Sequence, residues 1–355
     1  MVSKPKRIVF YRIGAIGDII HTLPLLQLTK ELNQNARIEY IVGSKQVAEL
    51  LEQYTDFIDK VHVIKHKEVF DKPLKLFINK EEKQLINKIQ ETPIDEFIFL
   101  HGNQVKAQLI NQRLLRAKKL FVYKRNSKFS AVSNYVITRF PELEDELLED
   151  SFKVIKSHTL KAKKALDNLS SEKSISIVLG VGALRPTRAY PVLKWIKFIE
   201  FILSTTNYTI NILGGPDEKD LSLQFEKLIK QREANLHYNW LQAKPDFSRV
   251  RNLIAKTSLL DLAQVLKNTD RLFSADTGIL HIAAALNVPI SSVFSITSEK
   301  RFGPFSKDAK VYQANNCSCK KSASNFPKHC HDTVMGYAKC MYELDFCDML
   351  DNAKI

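Results

Sequence analysis

An α/β protein with two doubly wound lobes facing a shared cleft is the fold this sequence predicts, on three observations. Strand-like and helix-like stretches alternate, stop at Ser170-Ser171-Glu172-Lys173, and then start again. Such a rhythm belongs to parallel sheets covered by helices. A glycine-bearing strand–turn–helix unit stands near each end of the pattern, at Arg12–Asp18 and at Ser274–Leu286. The chain, at 355 residues, is longer than one core usually serves. Two domains are therefore expected, a first lobe at 1–169 and a second at 170–355.

Taken in order, the first half predicts strands at Arg7–Tyr11, Arg37–Val42, Lys60–Ile64, Glu96–Leu100 and Lys119–Tyr123. Helical stretches lie between them at Ile19–Leu32, Lys45–Glu52, Glu81–Gln90 and Gln104–Arg116. The acidic run Glu142–Asp150 and a helix over Ser151–Leu169 follow. The second half predicts strands at Ser174–Leu179, Tyr208–Leu213, Arg271–Ser274 and Ile290–Phe294. Its helices fall at Val192–Ser204, Lys219–Lys230, Ser258–Asn268 and Thr277–Leu286, and the tail after Phe302 reads as irregular, then helical. Doubly wound sheets bind ligands at the carboxyl ends of their strands, which points to the loops after Arg12, Leu100, Leu179, Leu213 and Ser274.

A hydrophobic content of 45% is ordinary for a soluble domain, and no apolar run approaches the length of a bilayer span. The basic start Met1–Arg7 lacks a signal-type apolar region, and Ile8-Val9-Phe10-Tyr11 reads as a strand, so a cytoplasmic protein is expected. The net charge of +14 favours polyanionic partners. No zinc-finger spacing or RNA-binding aromatic signature accompanies it, so nucleic acid is not expected. All five cysteines, Cys317, Cys319, Cys330, Cys340 and Cys347, lie in the tail. A disulfide framework does not suit a cytoplasmic chain, and Cys317-Ser318-Cys319 is too tight for the usual zinc pair. Even with His329 and His331 beside Cys330, the segment reads as structural, and no metal is expected.

The chemistry-bearing motifs sit on the ligand-side loops. Asp276-Thr277-Gly278 leads into an Ala-rich helix, where free N–H groups and the helix dipole suit an anion such as phosphate. Arg12-Ile13-Gly14-Ala15-Ile16-Gly17-Asp18 is not the dinucleotide fingerprint, because Gly14 and Gly17 are three apart with no Gly-x-Gly before them. On this motif alone Asp18 reads as the cap of the next helix, with His21-Thr22-Leu23-Pro24 in or just after its first turn. His101-Gly102-Asn103 precedes a basic stretch of Lys106, Arg113, Arg116, Lys118, Lys119, Lys124, Arg125 and Lys128. That stretch is read equally as an anion-binding surface or as a solvated face. Arg185 and Arg188 are placed for phosphate, with Pro191 opening the next helix. Glu218, after Gly214-Gly215-Pro216-Asp217, could accept from ribose hydroxyls or simply favour a helix start.

The ordered set resembles glycosyltransferase family 9, the lipopolysaccharide heptosyltransferases. The resemblance rests on Arg12 through Pro24, Leu100–Asn103, Leu213–Glu218, Lys256–Leu262 and Asp276 through His281, and spans roughly residues 7–305. It implies a GT-B fold, two Rossmann-like doubly wound domains facing a central cleft, with acceptor in the first and nucleotide-sugar in the second. It implies inverting, metal-independent transfer of a heptose from ADP-L-glycero-D-manno-heptose to the lipopolysaccharide inner core, onto Kdo-lipid A or a preceding heptose. By motif position Asp18 is the general base. Arg188 stands where the family usually has a phosphate-binding lysine, Glu218 would bind the ribose, and Asp276, Thr277, Gly278 and His281 would line the diphosphate. Gly14, Gly17, His21, His101, Asn103 and Arg125 would face the acceptor. No cofactor beyond the donor is implied. The anionic acceptor suits a basic enzyme resting on the inner leaflet of the inner membrane through the stretch Lys106–Lys128. Competing readings are a GT-B transferase or epimerase using another nucleotide-sugar, and a non-catalytic basic protein that binds nucleotides or nucleic acid.

Overall fold

The computed structural model describes residues 4–64, 80–126, 128–157, 159–161, 173–180, 188–234, 243–314 and 332–345. The chain divides into two units, Met1–Ala165 and Leu166–Ile355. Of the expected break at Ser170–Lys173, only Lys173 lies among the described residues.

The first unit is built on five strands: β1 (Arg7–Tyr11), β2 (Arg37–Val42), β3 (Lys60–Val63), β4 (Glu96–Phe99) and β5 (Lys119–Val122). All pair parallel in the order β3-β2-β1-β4-β5. Sheets of this kind are covered on both faces, which is why the central strands read as near-continuous apolar runs such as Ile8-Val9-Phe10-Tyr11. One face packs Val9, Tyr11, Ile41, Phe97 and Phe99 with Ile86 and Ile89 of a helix at Lys80–Gln90. Chain order reverses between β1 and β4, so the switch point of the sheet lies between their carboxyl ends.

The opposite, amino edge of this sheet holds a buried charge cluster. Arg7 Nε and Nη2 each donate to one oxygen of Glu39 at 2.8 Å. Glu39 also meets His62 Nε2 at 2.7 Å and Arg37 Nε at 2.8 Å. Arg7 Nη1 donates to the Ile89 carbonyl at 2.7 Å, so the cation is fully engaged. Burial pushes the Glu39 carboxyl up, but hydrogen bonds from His62 and Arg7 override it and hold the group well below the usual carboxylate range. Beside it, buried Glu96 accepts from Arg139 Nε at 2.8 Å and pairs with Lys6 Nζ at 2.6 Å.

The second unit has six parallel strands: β6 (Ser174–Val178), β7 (Thr209–Leu213), β8 (Val250–Asn252), β9 (Arg271–Ala275), β10 (Ile290–Phe294) and β11 (Ala309–Gln313). Their order is β11-β10-β9-β6-β7-β8, with the switch point between β6 and β9. Its core joins Ile175, Ile177, Ile210, Ile212 and Phe273 to Trp195, Phe198, Ile199 and Ile202 of the helix Val192–Thr205. The tail adds a hairpin of β12 (Thr333–Val334) and β13 (Tyr337–Ala338), turned by Met335 and Gly336 at φ 52° and 83°. Positive φ at both turn positions is the type I′ geometry that matches strand twist, and glycine adopts it without strain. A short helix, Lys339–Glu343, follows, and Ala338, Cys340 and Met341 enter the core of this unit.

Several expectations are corrected. The helix expected at Ile19–Leu32 is two, α1 (Ile16–Ile20) and α2 (Leu23–Leu32). Pro24 explains the break, since its ring would clash with the carbonyl four residues back and it has no N–H to donate. The helix expected over Ser151–Leu169 is displaced: the acidic run itself forms α-helix Glu144–Val154, with Glu144, Asp145 and Glu146 in the dipole-favoured first turn. Residues 155–157 and 159–161 are not helical, and 162–169 lie outside the described residues. Helix Ala131–Arg139 went unpredicted, its sequence AVSNYVITR being rich in poor helix formers; Ser130 caps it by accepting from the Ser133 N–H at 3.1 Å. The edge strands β8 and β11 were also missed, because half-exposed edges lack an apolar run. No helix among the described residues is long and apolar enough to cross a membrane.

Candidate active site

At the switch point of the first unit, Arg12 follows β1 and reaches across to the loop after β4. Its Nη1 donates to the Leu100 carbonyl at 2.7 Å and lies 3.0 Å from His101 Nδ1. The Ile13 N–H points at His101 Nε2 from 3.1 Å. A neutral imidazole accepts at one nitrogen only, so the tautomer decides which of these contacts is the hydrogen bond. Arg12 Nη2 forms an ion pair with Asp18 Oδ2 at 2.9 Å. The Arg12 side chain is 13% exposed and that of Asp18 40%. Asp18 is therefore not the helix cap read from the sequence: Ala15 takes that position, and Asp18 sits in the first turn of α1, held by Arg12.

The other acceptor-side candidates divide. Gly17 lies buried in α1, and buried His21 closes that helix through its N–H to the Gly17 carbonyl at 3.0 Å. A Cβ on Gly14 would sit 3.5 Å from Asp18 Oδ2, an ordinary contact, so space alone does not demand glycine there. Asn103 caps the helix Gln104–Ile110, its Oδ1 accepting from the Lys106 N–H at 2.9 Å. Arg125 is exposed just past the carboxyl end of β5, on the same edge as Arg12 and His101. The basic stretch is not one surface. Lys106, Lys124, Arg125 and Lys128 follow the carboxyl ends of β4 and β5, whereas Arg116, Lys118 and Lys119 lie at the amino end of β5. Lys118 there pairs with Asp95 at 2.7 Å.

In the second unit the loops after β6, β7 and β9 converge in the same way. Arg188 Nη1, on the β6 side, meets Asp276 Oδ2 at the end of β9 at 3.1 Å. Arg185 lies outside the described residues. Buried Glu218 accepts the Gly215 N–H on Oε2 at 3.0 Å. A Cβ on Gly180 would overlap Glu218 Oε1, and one on Gly214 would overlap Oε2, so the carboxylate is wedged between two bare backbones. Thr277 caps the helix Gly278–Ala285, its Oγ1 accepting from the Leu280 N–H at 3.2 Å. The dipole and free N–H groups of that helix start lie at the carboxyl end of β9, where an anion would be favoured. His281 is buried one turn in, and burial pushes its imidazole down to about 4, so it is neutral at neutral pH and offers an N–H rather than a cation.

Sequence reasoning named Arg12 only as the opening of a motif. A cation closing the first strand at a switch point was the signal for it. Tyr135, whose ring centre lies 5.8 Å from the Arg12 guanidinium, came from a helix the sequence did not reveal.

Two parallel α/β units, each with polar side chains gathered at its switch point, are the parts of a GT-B fold. The model of glycosyltransferase family 9 (heptosyltransferase) matches residues 111–330, and the chain belongs to that family. Lipopolysaccharide heptosyltransferase 1 of Campylobacter coli is 24% identical over 318 residues, covering 83% of this chain and 85% of that protein. Among solved structures, the ADP-heptose lps heptosyltransferase II of E. coli superposes with a TM-score of 0.65 at 14% identity, covering 98% of each chain. The E. coli heptosyltransferase WaaC with ADP superposes with a TM-score of 0.63 at 18% identity, covering 87% of this chain and 93% of that one.

Proposed function

We propose that this enzyme transfers a heptose from ADP-L-glycero-D-manno-heptose to the lipopolysaccharide inner core, onto Kdo-lipid A or a heptose already in place, with inversion and without a metal. The observation that carries the reading is Asp18, a half-exposed carboxylate with one oxygen held by Arg12 at the ligand edge of its sheet. Lipopolysaccharide heptosyltransferase 1 of C. coli and the ADP complex of E. coli WaaC support the acceptor and donor classes.

In this reading Asp18 takes the proton of the acceptor hydroxyl as that oxygen attacks the anomeric carbon from the face opposite the leaving group. The departing ADP develops charge on its diphosphate. Arg188 and the helix start at Thr277–Gly278 stabilise that charge, in the place a divalent ion would otherwise fill. Binding the donor then means Arg188 exchanges Asp276 for phosphate, and Asp276 is released toward the sugar. Glu218 offers the ribose a carboxylate already fixed by Gly215. His281, uncharged, contributes by hydrogen bonding.

Arg188→Ala is expected to weaken ADP binding about 10- to 150-fold, the worth of a charge-assisted hydrogen bond. A titration of the folded variant that gives wild-type affinity removes Arg188 from the donor site. The same titration with UDP and GDP tests the donor class: either one binding more tightly than ADP replaces it. Transfer from ADP-heptose to defined truncated acceptors tests the reaction itself.

The acceptor is anionic and lipid-borne, and we place the contact on the carboxyl-edge cations only. Lys124→Glu with Arg125→Glu is expected to lower binding to anionic vesicles on the order of 30-fold, at about 1 kcal/mol per basic residue. Lys119→Glu, at the other end of β5, should leave it unchanged. Equal losses in both would return the whole basic stretch to a single surface, and no loss in either would remove the membrane contact.

A further inference from the structure

We infer that Arg12 is a positioning residue for the transfer: it fixes Asp18 by one carboxylate oxygen and leaves the other for the acceptor hydroxyl. The inference rests on the reading of Asp18 as the base.

The asymmetry of the pair carries it. Asp18 is the more exposed partner, and Arg12 the less exposed, anchored one. The guanidinium meets the Leu100 carbonyl and His101 through Nη1, and lies 5.8 Å from the centre of the Tyr135 ring. Two of these contacts belong to the loop after β4 and one to the helix Ala131–Arg139, so two segments distant in sequence hold a single side chain. Only then does its second nitrogen, Nη2, meet Asp18 Oδ2. An arginine fork can do this because Nη1 and Nη2 point at different partners from one rigid plane; a lysine point charge cannot serve both with fixed geometry. Asp18 Oδ1 makes no hydrogen bond or ion pair with any described residue. The result is a carboxylate with a fixed plane and one lone-pair face to offer, which is what proton abstraction in a near-attack geometry requires.

The test is steady-state transfer from ADP-heptose by wild type, Arg12→Lys, Arg12→Ala and Asp18→Asn, with melting curves for each. Arg12→Lys should lower kcat on the order of tenfold, the loss of one charge-assisted bond. Arg12→Ala should lower it on the order of 100-fold, the cost of a misplaced reacting group. Both should keep the KM values for donor and acceptor, because only the transition-state geometry suffers. Added guanidinium ion at non-denaturing concentration should restore part of the kcat of Arg12→Ala and none of that of Asp18→Asn. Arg12→Lys with wild-type kcat overturns the inference, as does a loss carried entirely by KM in a variant that melts like wild type. If Arg12→Ala does not fold, Arg12→Lys decides alone. Wild-type turnover by Asp18→Asn is a separate outcome, which removes the base itself.

Discussion

Asp18→Asn should abolish most turnover, by about 100- to 10,000-fold in kcat, while ADP binding and the melting temperature hold. The substitution keeps the volume and shape of the side chain and removes its capacity to take a proton, together with the negative charge that faces Arg12. The position is half-exposed, so little packing is at risk. Arg12 keeps its bond to Leu100 and its place beside His101, so the loops after β1 and β4 stay joined. On the proposed reading ADP binds at Arg188 and the Thr277 turn of the second unit, and should not register the change. Measuring ADP release with saturating acceptor, beside an ADP titration, separates the two properties. A folded variant with near-normal turnover would sink the assignment.

The largest effect on stability is expected from Glu39→Gln. Arg7 and Glu39 are both buried, and the change leaves the guanidinium without its counter-charge. Removing one partner of a buried pair costs roughly 3–5 kcal/mol. At the size of the first unit that is a fall of about 6–20 °C in its melting temperature. The pH dependence has a definite sign. Because the folded carboxyl is held below its unfolded value, its contribution is complete above an unfolded pKa of about 4.3 and is lost only as pH falls through the depressed folded value. The gap between wild type and variant should therefore be constant from neutral pH down to mild acid and close only in strong acid. A shift under about 2 °C at neutral pH would mean the cluster is nearly neutral to stability, as some buried pairs are.

What the sequence made legible follows burial. Strands β1 to β7, β9 and β10 were placed within a residue or so, the central ones by apolar positions buried in the sheet and the edges β3 and β5 by the β-formers they still carry. Strands β8 and β11 were invisible, since an edge strand need not be apolar throughout. On the site side, Asp18, Arg188, Glu218 and the Asp276–Gly278 turn are legible as candidates because a ligand loop at a strand end has a recognisable residue pattern. Their partners were not. Arg12 meets Leu100 and His101 across 88 and 89 positions of sequence, and Arg188 meets Asp276 across 88. Glu218 was read as ribose ligand or helix-start acid, and its seat between Gly180 and Gly214 depends on two strand ends becoming neighbours. Contacts of that range are set by topology, which local patterns do not encode.

The first sheet keeps its two ends chemically separate. Arg7, Glu39, His62, Glu96 and Arg139 hold buried ionic pairs at one end, and the exposed Lys124, Arg125 and Lys128 and the Arg12–Asp18 pair occupy the other. Such a division makes the scaffold forgiving to engineering. Exposed side chains at the ligand end, such as Lys124 and Arg125, can be exchanged without disturbing the ionic anchor that keeps the strands in register. On the proposed reading, acceptor range would drift by such surface changes while the frame beneath stays put.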